Sequence, residues 1–178
     1  MRHERTKLPI SENLGQLMVS GGVKDDLRLA LSTSGVALNE SAELLLSRPE
    51  IIVPKPVELS LVAVSIAALG LGDGGCLEEV FAAAVQHGLA LCPLATAVHL
   101  RLVHTERESS DSEFRRQRPP EGALHIGSPI LDQHFEVPKG FYLRTVKGQR
   151  WLRGYRCDLD VVLPPMMTFV FARAEHGS

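Results

Sequence analysis

Between Gly140 and Cys157 the chain carries five basic residues, Arg144, Lys147, Arg150, Arg153 and Arg156, and no acidic one. The same stretch holds Tyr142, Tyr155 and Trp151, the only tryptophan of the protein. On a strand, successive side chains point to opposite faces. Trp151, Arg153, Tyr155 and Cys157 therefore share one face, and Arg150, Leu152, Gly154 and Arg156 the other. A partner strand over Gly140–Val146 adds Tyr142 and Arg144 to the aromatic face. Guanidinium groups beside aromatic rings stack on bases and clamp anions. The predicted ligand-binding set is Arg144, Trp151, Arg153, Tyr155 and Arg156. The competing arrangement turns Trp151 and Tyr155 to the core and lets the arginines reach water along their aliphatic stems.

The remaining reactive side chains are more scattered. Cys92 precedes a predicted helix start at Pro93, where a thiolate gains from the helix N-terminus, but its setting, Leu89-Ala90-Leu91-Cys92, also suits an inert core thiol. His99 and Arg101 lie nearby in sequence. His99 and His104 are five residues apart, a spacing that shares a face on neither a strand nor a helix, and His125 and His134 are isolated, so no metal site is expected. The glycine run Gly70 to Gly75 sits before a helix, where backbone N–H groups attract anions. Its spacing is neither GxGxxG nor a P-loop, and Asp73 opposes phosphate, so it reads as a connection. Glu78 and Glu79 fall in the first turn of that helix, where carboxylates suit the macrodipole. Arg115, Arg116 and Arg118 form a short basic cluster, offset by Asp111 and Glu113. Residues 24–47 suggest a helix–turn–helix, but the second helix carries Glu40 and Glu43 and no basic residue before Arg48, which opposes DNA binding.

The elements that must position these groups follow from periodicity. A helix is expected from Ser11 to about Ser20 on the spacing of Leu14, Leu17 and Met18. A second covers Lys24 to Ser32, and a third, capped by Asn39, runs from Glu40 to Ser47 and is stopped by Pro49. Val57 to Leu69 reads as a buried strand, with a helix as competitor. Cys76 to His87 is an amphipathic helix through Leu77, Val80, Phe81, Ala84 and Val85, terminated at Gly88. His99 to His104 reads as a strand and 105–122 as a loop. Strands are expected at Ala123–Ile126, Gly140–Val146, Arg150–Cys157 and Thr168–Arg173, with Lys147-Gly148-Gln149 as a three-residue hairpin loop. The expected fold class is α+β: a short helical N-terminal segment (residues 1–50), then a mainly antiparallel sheet packed with one amphipathic helix (residues 51–178).

Composition sets the class. The 178 residues are 44% hydrophobic and 22% charged, enough for a core without disulfide staples. Net charge is −2, which argues against attraction of the whole protein to nucleic acid or anionic membranes. Three cysteines with no CxxC pair fit a reducing, cytoplasmic setting. The start of the chain is polar, without the apolar region of a secretory signal. The longest apolar stretch, Leu59 to Leu71, is shorter than the roughly 20 residues of a membrane span.

Several segments recur in a familiar order. They are Val57 to Leu69, Leu77-Glu78-Glu79, Gly88-Leu89-Ala90-Leu91-Cys92-Pro93, Leu100-Arg101-Leu102, Gly140-Phe141-Tyr142-Leu143, Arg150-Trp151-Leu152-Arg153-Gly154-Tyr155 and Phe169-Val170-Phe171-Ala172-Arg173. Over residues 57–173 this pattern resembles a group of small bacterial proteins with no established activity. Ala95 stands where that group tends to carry a glutamate. The resemblance implies a shared domain and transfers no catalytic residue.

The expected function is a non-enzymatic binding or accessory domain. It engages an anionic ligand, a single nucleic-acid strand or a protein partner through the basic–aromatic hairpin. The alternative is a small hydrolase or transferase built around Cys92 or His99 with an arginine anion clamp. A third reading has the N-terminal helices docking a protein partner. No cofactor and no membrane partner are expected.

Overall fold

Glu12–Val19 is a strand, β1, where a helix over 11–20 was expected. The computed structural model describes residues 10, 12–22, 24–105 and 122–175. The polar start at 1–9, Ser11, where the first helix was expected to begin, and the basic cluster Arg115, Arg116 and Arg118 lie outside the described residues, as does nearly all of the expected 105–122 loop. After β1 come α1 (Lys24–Thr33), β2 (Ala37–Leu38), α2 (Glu40–Ser47), β3 (Val57–Ser65), α3 (Leu77–Gln86) and β4 (Leu89–Ala90). The chain continues through α4 (Thr96–Val103), β5 (Leu124–Ile126), β6 (Gly140–Val146), β7 (Gln149–Tyr155) and β8 (Thr168–Arg173). The fold is α+β: among the described residues four α-helices are interspersed among eight strands rather than gathered at the N-terminus.

The strands form one mixed, mostly antiparallel sheet in the order β1-β3-β8-β5-β6-β7-β2, with β4 alongside β8. Only the pairs β5–β8 and β2–β7 are parallel. β1 is a strand because only Leu17 and Val19 of its residues are buried, two positions apart, while Met18 faces out. Its partner β3 supplies the pairing that local spacing does not reveal. The second mismatch is α4. Leu100 and Leu102 alternate as in a strand, but Ala97, Val98, Leu100 and Arg101 are buried together on one side of a helix.

Side chains alternate between the two faces of the sheet. On one face, Leu61, Ala63, Leu124, Ile126, Phe141, Leu143, Leu152 and Val170 pack under Leu27 and Leu31 of α1, Ala42, Leu45 and Leu46 of α2, and Val98 and Leu100 of α4. The segment expected to be a helical unit thus contributes to this shared cluster, and also supplies β1 and β2, the strands at the two ends of the sheet order. On the other face, Val62, Val64, Phe169, Phe171, Tyr142 and Tyr155 pack with Leu77, Val80, Phe81 and Ala84 of α3.

Local signals fix the elements around the hairpin. The Asn39 side chain accepts from the Ala42 N–H at 2.8 Å, the expected cap of α2. The same amide also bonds both backbone groups of Gly154, accepting from its N–H at 2.9 Å and donating to its carbonyl at 3.1 Å. α2 approaches β7 closely at Gly154: a Cβ there would lie 2.7 Å from the Ser41 carbonyl carbon. The β6–β7 turn has two residues, not three. Val146 pairs with Gln149, and Lys147 and Gly148 both take positive φ, at 49° and 75°. Such a turn matches the twist of the strands it joins.

Candidate functional site: a basic–aromatic face on the β6–β7 hairpin

The register places Arg144 opposite Trp151 and Tyr142 opposite Arg153. Tyr155 lies opposite Gly140, whose missing side chain leaves room for the ring: a Cβ there would be 3.1 Å from it. The alternation read from sequence therefore brings Tyr142, Arg144, Trp151, Arg153 and Tyr155 to one face. The face divides in two. Tyr142 and Tyr155 are buried, at 2% and 5% exposure, and belong to the core beside α3. Trp151 and Arg153 are half-buried at its outer part, and Arg144 is buried to 8% exposure. Arg156 does not join them. It follows the end of β7 and its guanidinium lies 3.7 Å from Glu136.

Arg153 is the best-placed charge. Its Nε–H donates to the Tyr142 hydroxyl at 2.9 Å, and its guanidinium carbon lies 4.9 Å from the centre of the Trp151 ring. One edge and one face of the guanidinium are thus held by neighbours. The four N–H groups on its two terminal nitrogens bond no described residue, and no described carboxylate pairs with it. This is the geometry of an end-on fork, in which two parallel N–H groups meet two oxygens of a phosphate or carboxylate.

Behind Arg153 stands a histidine whose position the sequence did not flag. His125 of β5 is opposite Tyr142 on one side and Phe169 of β8 on the other. Arg153, Tyr142, His125 and Phe169 therefore form a row across four adjacent strands. The His125 and Tyr142 rings stack at 5.0 Å with 16° between planes. Tyr155 meets the imidazole edge-on at 5.4 Å, and Phe169 lies 5.6 Å away. His125 is 1% exposed, and neither ring nitrogen has a hydrogen-bond partner of normal geometry among the described residues. Burial pushes its pKa down to about 3, opposed only in part by the backbone of Thr168. The Tyr155 hydroxyl is likewise buried without a hydrogen-bond partner among the described residues, and burial moves its pKa far upward. The one sequence clue to His125 was its place between Leu124 and Ile126, a histidine facing away from two inward residues.

The other candidates fall apart as sites. The Cys92 thiol is 1% exposed and burial pushes it up to about 12, so it is a neutral core thiol at ordinary pH. His99 lies on α4 and its Nε2 is 3.1 Å from the Ser20 carbonyl, a link between helix and chain. Arg101 is fully buried, donating to the carbonyls of Trp151 at 3.3 Å and His104 at 2.7 Å. Gly70 to Gly75 forms the turn into α3, closed by the backbone pair Gly75–Leu163, and a Cβ on Gly74 would meet the Leu163 carbonyl oxygen at 2.1 Å. Glu79 caps α3 by accepting from the Cys76 N–H at 2.8 Å. Among the described residues, no group of three or more His, Cys, Asp or Glu is placed to hold a metal ion, and no helix is long and apolar enough to cross a membrane.

What the geometry defines is an α+β protein with one basic–aromatic sheet face. Compared with known proteins, the chain matches no family model, no curated protein and no solved structure.

Proposed function

We propose that this protein is a binding module whose β6–β7 hairpin takes a phosphate-bearing ligand, with a single nucleic-acid strand as the preferred form. The observation that carries this reading is the Arg153 guanidinium. It is held by the Tyr142 hydroxyl and the Trp151 ring, is half-buried, and has no described carboxylate partner. An arginine fixed on two sides loses less freedom on binding, so more of the contact energy reaches affinity. Trp151 adds a planar apolar surface beside the charge, the pairing that single strands use for stacking. The net charge of −2 makes the contact local rather than a property of the whole surface. A thiolate enzyme centred on Cys92 has no comparable support, because that thiol is buried and protonated.

Trp151 is the only tryptophan, so its emission reports this face directly. The test is titration with oligothymidylate and, separately, with thymidine monophosphate. Arg153→Met should weaken binding by about 1.5–3 kcal/mol, roughly ten- to a hundredfold, the worth of a hydrogen bond to a charged group. It should also reduce the salt dependence of strand binding by about 0.7 in the log–log slope, one phosphate contact. Binding of the mononucleotide alone assigns the face to a small phosphorylated ligand. Binding of neither, or equal binding by Arg153→Met, refutes the proposal and leaves a protein partner as the reading to pursue.

A further inference from the structure

We propose that His125 is the positioning residue of this anion site. Acting through Tyr142, an uncharged His125 ring holds Arg153 in place for its ligand, and protonation of that ring releases it. The inference rests on reading Arg153 as the anion contact, but its central test needs no ligand.

The geometry is a short chain of contacts across adjacent strands. The His125 ring lies flat against Tyr142, and the Tyr142 hydroxyl accepts from Arg153 Nε at 2.9 Å. Arg153 in turn covers Trp151. The groups packed against His125 are Tyr142 from β6, Tyr155 from β7, and Phe169 with the backbone of Thr168 from β8. Arg153 is the charged group within this row, two side chains away, and Arg144 is its same-face neighbour on β6. From α3, Phe81 packs edge-on to Phe169, while Glu78 and Glu79 are exposed. No carboxylate pairs with His125 among the described residues, so an imidazolium there would be a second positive charge facing aromatic rings with both N–H groups unmet. A charged ring must find water or an acceptor. It reaches either by leaving the stack, and Tyr142 then loses the plane that fixes its ring and Arg153 loses a fixed acceptor. Burial, which strongly disfavours the charged ring, agrees with this direction.

The experiment compares wild type with His125→Phe, which keeps a flat ring and cannot take a proton. Trp151 emission is followed from pH 8 downward in ligand-free protein, with far-UV circular dichroism alongside. Wild type is expected to show an emission transition below pH 6.5 while secondary structure is retained, and His125→Phe none over the same range. Ring resonances of His125 in wild type, followed by NMR, should titrate with the same midpoint. The same transition in His125→Phe, no transition in wild type, or one that coincides with loss of secondary structure overturns the proposal. If the NMR midpoint differs from the emission midpoint, the proposal fails even if the variant does not fold.

Oligothymidylate binding is then measured over the same range, since its phosphodiesters keep their charge. Wild-type affinity should approach a slope of about tenfold per pH unit, the mark of one coupled proton, and the variant should stay level. Absence of strand binding in both proteins at pH 7.5, with the emission transition intact, would count against the ligand reading and not against the role of His125.

Discussion

Lys139 immediately precedes β6, and its removal should unfasten the loop that delivers that strand. The ammonium group donates to the carbonyls of Asp132 at 2.8 Å, His134 at 2.5 Å and Val137 at 2.9 Å, which uses all three of its N–H bonds. Its own backbone N–H donates to the Tyr155 carbonyl at 2.8 Å, and the residue is 1% exposed. Desolvation holds its pKa below the usual lysine range, against the attraction of Cys157, Asp132 and Asp158, so part of what the bonds contribute is offset by burying the charge. Lys139→Ala leaves three carbonyl oxygens facing a gap of ammonium size. Allowing for water entering that gap, the loss is about 2–4 kcal/mol, from roughly 1–3 kcal/mol per unmet buried group. Urea unfolding measures it as a lower midpoint at unchanged slope. Chemical rescue gives the sharper reading. Ammonium ion matches the deleted group, whereas tetramethylammonium is too large for it and has no N–H to donate. At about ten times its dissociation constant, free ammonium should restore about 1.4 kcal/mol to Lys139→Ala, and wild type should respond equally to both salts. A loss under about 1 kcal/mol, or equal response of the variant to the two cations, would refute the view of Lys139 as a cation held in a carbonyl ring.

Three further outcomes follow from the same structure. Asn39→Ala removes the α2 cap and both bonds to Gly154, and should cost about 2–4 kcal/mol in urea unfolding, while Asn39→Asp, which keeps the accepting oxygen, should cost clearly less. Cys92 should stay unalkylated in native protein at pH 8 while Cys76 and Cys157, both partly exposed, react first. The Cys92 thiol ionises near 9.0 when unfolded but only near about 12 when folded. The unfolded state therefore releases its proton first, and stability present below pH 9 is lost on going upward. The contribution is roughly 1.4 kcal/mol per pH unit. Cys157, also raised, adds to the decline, and Lys139, lowered, opposes it up to its unfolded value of 10.5. Unfolding free energies from pH 8 to 10.5 in wild type and Cys92→Ala check the slope, which should be shallower in the variant.

Where local chemistry decides, the sequence was legible. The apolar spacing of Leu77, Val80, Phe81 and Ala84, with Gly88 taking φ of 78° just past the end, specifies α3 without help from the rest of the chain. Asn39 before Glu40 specifies the start of α2 in the same way. Alternation along β7 groups Trp151, Arg153 and Tyr155 on one face, but the register did not follow from it: a three-residue loop was expected, and the two-residue turn is what sets Arg144 opposite Trp151 and Tyr142 opposite Arg153. The failures were at short edge elements whose state is decided by distant partners. Leu14, Leu17 and Met18 have helical spacing, yet β3 offered β1 a pairing along its whole length. Within the expected strand His99 to His104, Leu100 and Leu102 alternate, yet α4 is helical because it packs against α1, β1 and the hairpin strands. His125 was passed over for a related reason. Its neighbours Tyr142, Tyr155 and Phe169 lie 17, 30 and 44 positions away, and only the sheet order brings them together.

The position of Trp151 bears on the proposed site, because the outer half of the face rests on a fixed backbone. Its backbone lies between Arg144 of β6 and Ala37 of β2, and its carbonyl accepts from Arg101, a buried residue of α4 on the opposite face. Arg150, next along β7, donates to the Arg101 carbonyl, so strand and helix are bonded in both directions. The Trp151 ring then supports Arg153 on the aromatic face. The backbone under the proposed contact residues is therefore fixed by two strands and a helix. Preorganisation of this kind lowers the ordering cost of binding. It also separates two kinds of substitution: changes at Arg101 act on the support of β7, whereas changes at Arg153 should act on the proposed ligand contact. Stability and affinity should respond separately at these two arginines even though both meet at Trp151.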